Sequence, residues 1–221
     1  MPLIVIEGLD GSGKATNANA LLEKLKSMGK NAIKVSFPDY DSDSSALVRM
    51  YLSGAFGSKP TDVNAYAASA FYAVDRFASY KSGWEKAYLN GDFIIADRYT
   101  TSNAVHQASK LEGDERDSYL DWLYDFEFSK LGLPRPDAVV YLDVETEVSQ
   151  KLMTGRYNGD ESKKDIHEKD TQYLEKSRTA ALYAADRLGW NVVKLTQNGQ
   201  MLSREDAFEK VFDALKGIFD L

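Results

Sequence analysis

The segment Gly8-Leu9-Asp10-Gly11-Ser12-Gly13-Lys14-Ala15-Thr16 constrains this chain more than any other stretch. It follows the apolar run Leu3-Ile4-Val5-Ile6 and precedes Ala18, Leu21, Leu22 and Leu25, which recur at helical spacing until Gly29. A buried strand therefore has to turn tightly into an amphipathic helix. Glycines there let successive backbone N–H groups point inward, and the helix N-terminus adds partial positive charge. The pattern G-x-x-x-x-G-K between a strand and a helix reads as a phosphate cradle. Gly8, Asp10, Gly11, Ser12, Gly13, Lys14, Ala15 and Thr16 are its expected ligand-binding residues, with Lys14 reaching the β- and γ-phosphates. Ala15 stands where such loops carry the Ser or Thr whose hydroxyl holds Mg²⁺, and Thr16 faces elsewhere on the helix. Mg²⁺ is then expected on water and carboxylates, with Asp97 and Asp10 nearest.

Further apolar runs at 32–37, 93–96, 138–142 and 192–195 alternate with helical patterns near 45–52, 61–89, 102–111, 114–130, 145–154, 169–188 and 203–219. Five buried strands alternating with helices predict an α/β fold, a five-stranded parallel sheet with helices on both faces, as one domain over residues 1–221. Ligands bind at the carboxyl ends of such strands. Those ends carry the glycine-rich loop, Phe37-Pro38 and Asp97-Arg98. Asp97 closes a run of four apolar residues, as a metal-binding carboxylate does. A structural ion pair between Asp97 and Arg98 is the competing reading. In helix 61–89, Val63, Tyr66, Ala67, Ala70, Val74, Phe77 and Ala78 form one apolar stripe, expected to face the core, a partner subunit, or both. Residues 155–168 are polar, charged and weakly periodic, and are expected to form a mobile loop.

Composition narrows the partners. The 221 residues carry 27 Lys+Arg against 34 Asp+Glu, a net charge of −7, which argues against gripping a nucleic-acid backbone. A single phosphorylated small molecule needs only local positive charge. The absence of cysteine excludes disulfides, thiolate metal sites and a cysteine nucleophile. No apolar run approaches the ~20 residues that span a bilayer, and Met1-Pro2-Leu3-Ile4 has no basic leader, so a cytoplasmic protein with no membrane partner is expected. His106 and His167 are far apart in sequence and suggest no metal site.

Several separate pieces, in order, resemble the thymidylate kinase family of nucleoside monophosphate kinases over nearly the whole chain. They are EGLDGSGKAT at 7–16, Phe37-Pro38, AFYAVDRF at 70–77, Asp97-Arg98-Tyr99 with Ser102-Asn103, LGLPRPD at 131–137, and a charged stretch with GRY at 155–157 and Glu168. The resemblance implies a P-loop kinase fold with a lid near 155–168, ATP and dTMP as substrates, Mg²⁺ as cofactor, and a homodimer. It implies that Tyr72 stacks on the base and Arg76 donates to thymine O4; the two share a helix face at i and i+4. Asn103 would pair with the thymine N3–H and its neighbouring carbonyl, although Asn103 or Ser102 equally suits a helix cap. Arg98 would contact the monophosphate and bridge to the donor. Phe37, Pro38 and Tyr40 would line the acceptor pocket, and Glu168 would approach the sugar or metal. Two positions depart from the family. Asp39 replaces a frequent arginine, which shifts neutralisation of the acceptor phosphate toward Arg98 and Arg76. His106 replaces a tyrosine that packs on the deoxyribose.

An acceptor phosphate oxygen is already anionic, so no strong base is needed, and catalysis reduces to alignment and positive charge. The phosphate loop holds no basic residue at 9–12, so the lid is expected to supply the catalytic cation, with Arg156 first and Lys163 and Lys164 behind it. Lys14, Arg98, Arg156 and Asp97 are thus the expected catalytic set. A kinase of another pyrimidine nucleotide or nucleoside, or a nucleotide-binding homologue with weakened catalysis, is the alternative.

Overall fold

The computed structural model describes residues 2–156, 165–168 and 170–218. The chain runs β1 (Leu3–Gly8), α1 (Lys14–Ser27), β2 (Ala32–Ser36), α2 (Ala46–Leu52), α3 (Ala65–Ser79), α4 (Glu85–Leu89), β3 (Phe93–Asp97), α5 (Thr101–His106) and α6 (Gly113–Tyr124). It continues through β4 (Ala138–Asp143), α7 (Thr146–Arg156), α8 (Thr171–Leu188), β5 (Asn191–Lys194), β6 (Thr196–Gln197), β7 (Gln200–Met201) and α9 (Arg204–Asp213). The five long strands form a parallel sheet in the order β2-β3-β1-β4-β5, as expected. Helices cover both faces. On one face Leu3, Val5, Ile94, Ala96, Val139 and Tyr141 pack with residues of α5, α6 and α8. On the other, Ile4, Ile6, Ile95, Val140 and Leu142 pack on Ala18, Leu21 and Leu25 of α1 and Val211 of α9. This alternation along each strand is what a two-sided sheet requires.

Position in the sheet corrects one expectation. Only β1 and β4 are buried throughout; β2 is half-buried and β5 mostly exposed, because both lie at the edges. A small antiparallel hairpin, β6 with β7, forms a separate two-stranded sheet that the strand pattern does not predict.

The expected helix 61–89 is interrupted. A 3₁₀ turn at Pro60–Asp62 precedes α3, and a π-helical turn at Tyr80–Trp84 separates α3 from α4. Asn64 caps α3, its side chain accepting from the Ala67 N–H at 2.8 Å. The apolar stripe faces outward: Tyr66, Val74 and Phe77 are exposed. The buried face is Ala65, Ala68, Ser69, Ala73, Asp75 and Arg76. Hydropathy misleads here because each inward polar group has a dedicated partner, as described below. The helical stretches predicted at 102–111, 114–130 and 203–219 change type rather than run as single α-helices: α5 passes to a 3₁₀ turn at Ala108–Lys110, α6 to a π-helical turn at Asp125–Lys130, and α9 ends at Asp213 before a 3₁₀ turn at Lys216–Ile218. α7 runs on to Arg156, two residues into the stretch predicted as a loop. The Arg156 side chain, Tyr157, Lys163 and Lys164 lie outside the described residues.

The parallel register puts the chemistry-bearing ends together. Ile6 of β1 pairs with Asp97 of β3, and Asp97 in turn pairs with Ser36 of β2. The segments that follow all three strands therefore open on one edge of the sheet.

Candidate active site

Three of the loop glycines do what their sequence implies. Gly11 and Gly13 hold φ of 81° and 86°, backbone that disfavours any side chain. A Cβ on Gly11 would also meet the Ser149 carbonyl oxygen at 2.6 Å, and one on Gly8 the Ser12 Oγ at 2.5 Å. The loop is thus compressed between α7 and β4. Lys14 is buried and folds back, its Nζ 2.8 Å from the Leu9 carbonyl and 3.8 Å from Asp10. Burial and the Arg98 charge push its pKa below the usual lysine value. Ala15 and Thr16 are exposed on the first turn of α1.

Arg98 sits at φ 68°, an uncommon conformation for a residue with a side chain. Its guanidinium donates to Asp10 at 2.5 Å and Ser102 Oγ at 3.2 Å, and lies 3.4 Å from Glu7 and from His106 Nε2. Glu7 is fully buried and organises this corner. It accepts from the Gly8 N–H at 2.9 Å and from Thr101 and Ser102 hydroxyls at 2.7 Å each. Burial would raise the Asp10 carboxyl, but Arg98 and Lys14 overcome it and hold the group well below the usual carboxylate range. Arg98 therefore pairs with Asp10 and Glu7 rather than with Asp97. The Asp97 carboxylate has no hydrogen bond or ion pair among the described residues, while its backbone oxygen accepts from Phe37 N at 3.0 Å.

The second corner is built around Glu127, also fully buried. Arg76 Nε donates to it at 2.7 Å and Arg76 Nη2 makes a second bond. Thr100 Oγ1 and Asn103 Nδ2 donate to the same carboxylate at 2.7 and 3.3 Å. Arg76 is therefore neither solvated nor a free charge. Its Nη1 keeps one long bond, 3.4 Å, to the Tyr99 carbonyl. Glu127 already matches the Arg76 charge, and Arg76 shares that carboxylate with Thr100 and Asn103 on the side of the cleft that Asn103 lines. Asn103 also corrects its reading: Nδ2 is committed to Glu127 and to the Ser69 carbonyl at 3.5 Å, which leaves Oδ1 as the group available to a ligand. Neither Asn103 nor Ser102 caps α5; Thr100 occupies that position.

A third wall comes from 165–168. His167 stacks on His106 with centroids 5.5 Å apart, so the two histidines are neighbours rather than isolated. Burial keeps His106 well below the usual imidazole value and takes His167 down to about 3, so both are neutral. Asp165 Oδ1 accepts from the His167 and Glu168 amides at 2.8 and 2.9 Å, and burial raises its carboxyl to about 6.

These walls enclose one cleft of about 1390 Å³. Of the expected residues, Asp10, Gly11, Gly13, Lys14, Ala15 and Thr16 line it at one end. Phe37, Pro38, Tyr40, Tyr72, Arg76, Asp97, Arg98, Ser102, Asn103, His106 and Glu168 line the rest. Gly8 and Ser12 do not line it, and the buried Ser12 hydroxyl has no hydrogen-bond partner among the described residues. Sequence reasoning missed four acids. Glu7 and Glu127 each sit in an apolar run, an acid between Ile6 and Gly8 or between Phe126 and Phe128, and that is the signal that marks them. Asp75 holds the acceptor-side turn, accepting from Asp39 N at 2.9 Å and Ser44 Oγ at 2.7 Å. Asp165 has no comparable mark. Arg49 was missed as well; it reaches into the same turn through the Tyr40 and Ser42 carbonyls at 2.9 and 2.8 Å. Met201, Leu202, Ser203, Arg204 and Ala207 form the far wall beside α1.

The family model described as thymidylate kinase matches residues 6–205. The thymidylate kinase of Mycobacterium tuberculosis (strain ATCC 25618 / H37Rv) is 33% identical over 186 residues, covering 82% of this chain and 84% of its own. The human thymidylate kinase is 29% identical over 149 residues, 65% of this chain and 61% of its own. A solved thymidylate kinase structure from Candida albicans matches with a TM-score of 0.72 at 21% identity, covering 99% of this chain and 92% of that one, and so shares its fold.

Proposed function

The chain belongs to the thymidylate kinase family, and on that premise we propose that the cleft holds ATP on the Gly8–Lys14 loop and dTMP between Arg98 and Asn103, aligned for direct phosphoryl transfer. Transfer from ATP to dTMP, giving dTDP, is the family's reaction and this chain's. One observation carries the placement: two arginines line one cleft on buried carboxylates, Arg98 on Glu7 with Asp10 linking it to Lys14, and Arg76 on Glu127, which it shares with Asn103. Asn103 Oδ1 accepts from the thymine N3–H, and Arg76 Nη1 donates to O4. Cytosine presents an amino group at that edge and meets a donor instead. Tyr72 offers its ring to the base, and Phe37 and Pro38 close the pocket. The wall of Met201, Leu202 and Ala207 receives the donor nucleoside.

The charges define the chemical problem. Lys14 and Arg98 are already matched by Asp10 and Glu7, and Arg76 by Glu127. The cleft therefore brings little surplus positive charge to two polyanions. Further cations have to complete it. Asp97, free of described partners, and Asp10 would hold Mg²⁺, which when bound offsets charge on the donor phosphates. Among the described residues no group of three or more His, Asp or Glu gathers as a metal cage. That fits an ion held by one or two carboxylates, phosphates and water. Arg156 and the lysines after it would supply the remaining cation as a lid, excluding water from the reacting phosphate. Lys14 and Arg98 then act on the transferring group, and no side chain needs to take a proton.

The exposed face of α3 supports a homodimer. Tyr66, Val74 and Phe77, with Leu47 and Met50 of the adjoining α2, are large apolar side chains left exposed, which a partner subunit would cover. No helix among the described residues is long and apolar enough to cross a membrane, and a cysteine-free chain using nucleotides suits the cytoplasm. Coupled ADP release measured with dTMP, dUMP, dCMP, UMP and thymidine tests the substrate reading. dTMP is expected to give the highest kcat/KM and thymidine none; equal turnover of thymidine would end it.

A further inference from the structure

Tyr51 of α2 is buried, and its hydroxyl meets three other parts of the chain. It lies 3.1 Å from Lys110 Nζ, 3.1 Å from the Pro60 carbonyl and 2.9 Å from His167 Nε2. A phenol has one proton to give. The Pro60 carbonyl can only accept, so the hydroxyl donates there and receives from Lys110 and from the N–H of neutral His167. Lys110 also donates to the Val63 carbonyl at 2.8 Å and lies 5.4 Å from the Tyr51 ring centroid. Among the described residues it has no carboxylate partner. Burial lowers it to about 7.

His167 carries this arrangement into the cleft. Its ring is boxed by Tyr51, His106 and Tyr173, with centroids at 5.4, 5.5 and 4.9 Å. Beyond His106, Nε2 touches Arg98. The 165–168 turn is held internally by Asp165, and externally by the His167–Tyr51 bond, the ring stack, a long 3.4 Å bond from Ile166 N to the Leu52 carbonyl, and the packing of Ile166 on the Tyr51 cluster. The Tyr51 hydroxyl is thus a buried polar anchor that ties this turn to α2.

We propose that Tyr51 and Lys110 are positioning residues for the acceptor: Tyr51, bonded to His167, and Lys110, bonded to Tyr51, fix the 165–168 turn and the His106 ring against the dTMP end of the cleft. This rests on the reading that Arg98 and Asn103 mark that end. The pair touches neither substrate. Its effect is to order the wall before dTMP arrives, so that ordering is not charged to binding. Loss of the anchor then weakens dTMP binding while the aligned complex reacts as before. Because both residues act through one hydroxyl, their effects do not add.

Kinetics at saturating ATP with varied dTMP, and dTMP affinity by calorimetry, test this on full-length Tyr51→Phe, Lys110→Met, Lys110→Arg and the Tyr51→Phe/Lys110→Met double variant. Tyr51→Phe removes three hydrogen bonds, of which the one to His167 reaches the turn, and is expected to raise KM and Kd for dTMP about tenfold, with kcat within about twofold. KM for ATP should stay unchanged, Lys110→Met should move the same way, the double variant should be no worse than Tyr51→Phe, and Lys110→Arg should recover most of the affinity. The proposal is overturned by unchanged dTMP affinity in Tyr51→Phe, by additive losses, or by parallel loss of dTMP and ATP affinity with a collapsed melting temperature. If Tyr51→Phe does not fold, the Lys110→Met and Lys110→Arg pair decides on the same criteria. Wild-type protein inactive on dTMP would instead overturn the substrate reading, and is visible before any variant is measured.

Discussion

Glu127→Gln is the sharpest probe of how this cleft is built. The carboxylate is fully buried, receives two bonds from an equally buried Arg76, and also holds Thr100 and Asn103. Arg76 stays protonated, because Glu127 outweighs the burial that opposes its charge. Gln keeps the shape and one acceptor but removes the charge, leaving a guanidinium without compensation in the interior. Breaking one side of a buried pair costs about 3–5 kcal/mol. In a chain of this size each kcal/mol lowers the melting temperature by about 2–4 °C, so a loss of about 6–20 °C is expected. The assay is calorimetric melting with and without dTMP. dTMP should also stabilise the variant less than wild type, since Asn103 and Arg76 lose their shared anchor. Arg76→Met/Glu127→Leu removes both charges and should recover much of the stability while dTMP binding stays lost. A Glu127→Gln protein that melts within about 2 °C of wild type would refute the reasoning, because it would mean the pair carries no net energy.

The other predictions are independent of that pair. Arg156→Ala should lower kcat about 10³-fold and leave dTMP affinity nearly unchanged, as measured by single-turnover kinetics and calorimetry; unchanged kcat would remove Arg156 from the reaction. Val74→Glu should shift sedimentation toward the monomer, since it places a charge in the middle of the exposed α3 face. Lys110 gives a pH signature. Its folded pKa of about 7 lies below the unfolded value, so the unfolded chain binds the extra proton between the two, and stability rises as pH climbs above about 7. Denaturation across pH 6 to 9.5, at roughly these limits, should show that rise in wild type and a flatter profile in Lys110→Met.

The sheet and the phosphate loop were legible because local chemistry decides them. A strand run, spaced glycines and a lysine at a helix start admit few other structures, and β1 and α1 stand on either side of the loop as expected. The edge strands were over-read as buried, since strand order in space is not written in any one strand. α3 shows the deeper limit. Its hydropathy pattern is inverted: Ser69, Asp75 and Arg76 point inward because Tyr119, the 39–44 turn and Glu127 wait there, 31 to 51 residues away in sequence. A helix read alone carries no trace of those partners. The same holds for Asn103, whose donor is spent on Glu127, and for the meeting of His106 with His167. Residues that face the ligand directly were readable from type and spacing. Residues that hold them in place, Glu7, Glu127 and Tyr51 among them, became visible only when the chain brought distant segments together.

The central claim is that one mononucleotide lies with its base at Asn103 and its phosphate at Arg98, pointing to the loop that ends in Lys14. A crystal structure with dTMP and a non-hydrolysable ATP analogue measures this directly. The account predicts thymine N3 within hydrogen-bond distance of Asn103 Oδ1, O4 at Arg76, and the monophosphate on Arg98 facing the γ-position. A base turned away from Asn103, or a phosphate bound without Arg98, would contradict it.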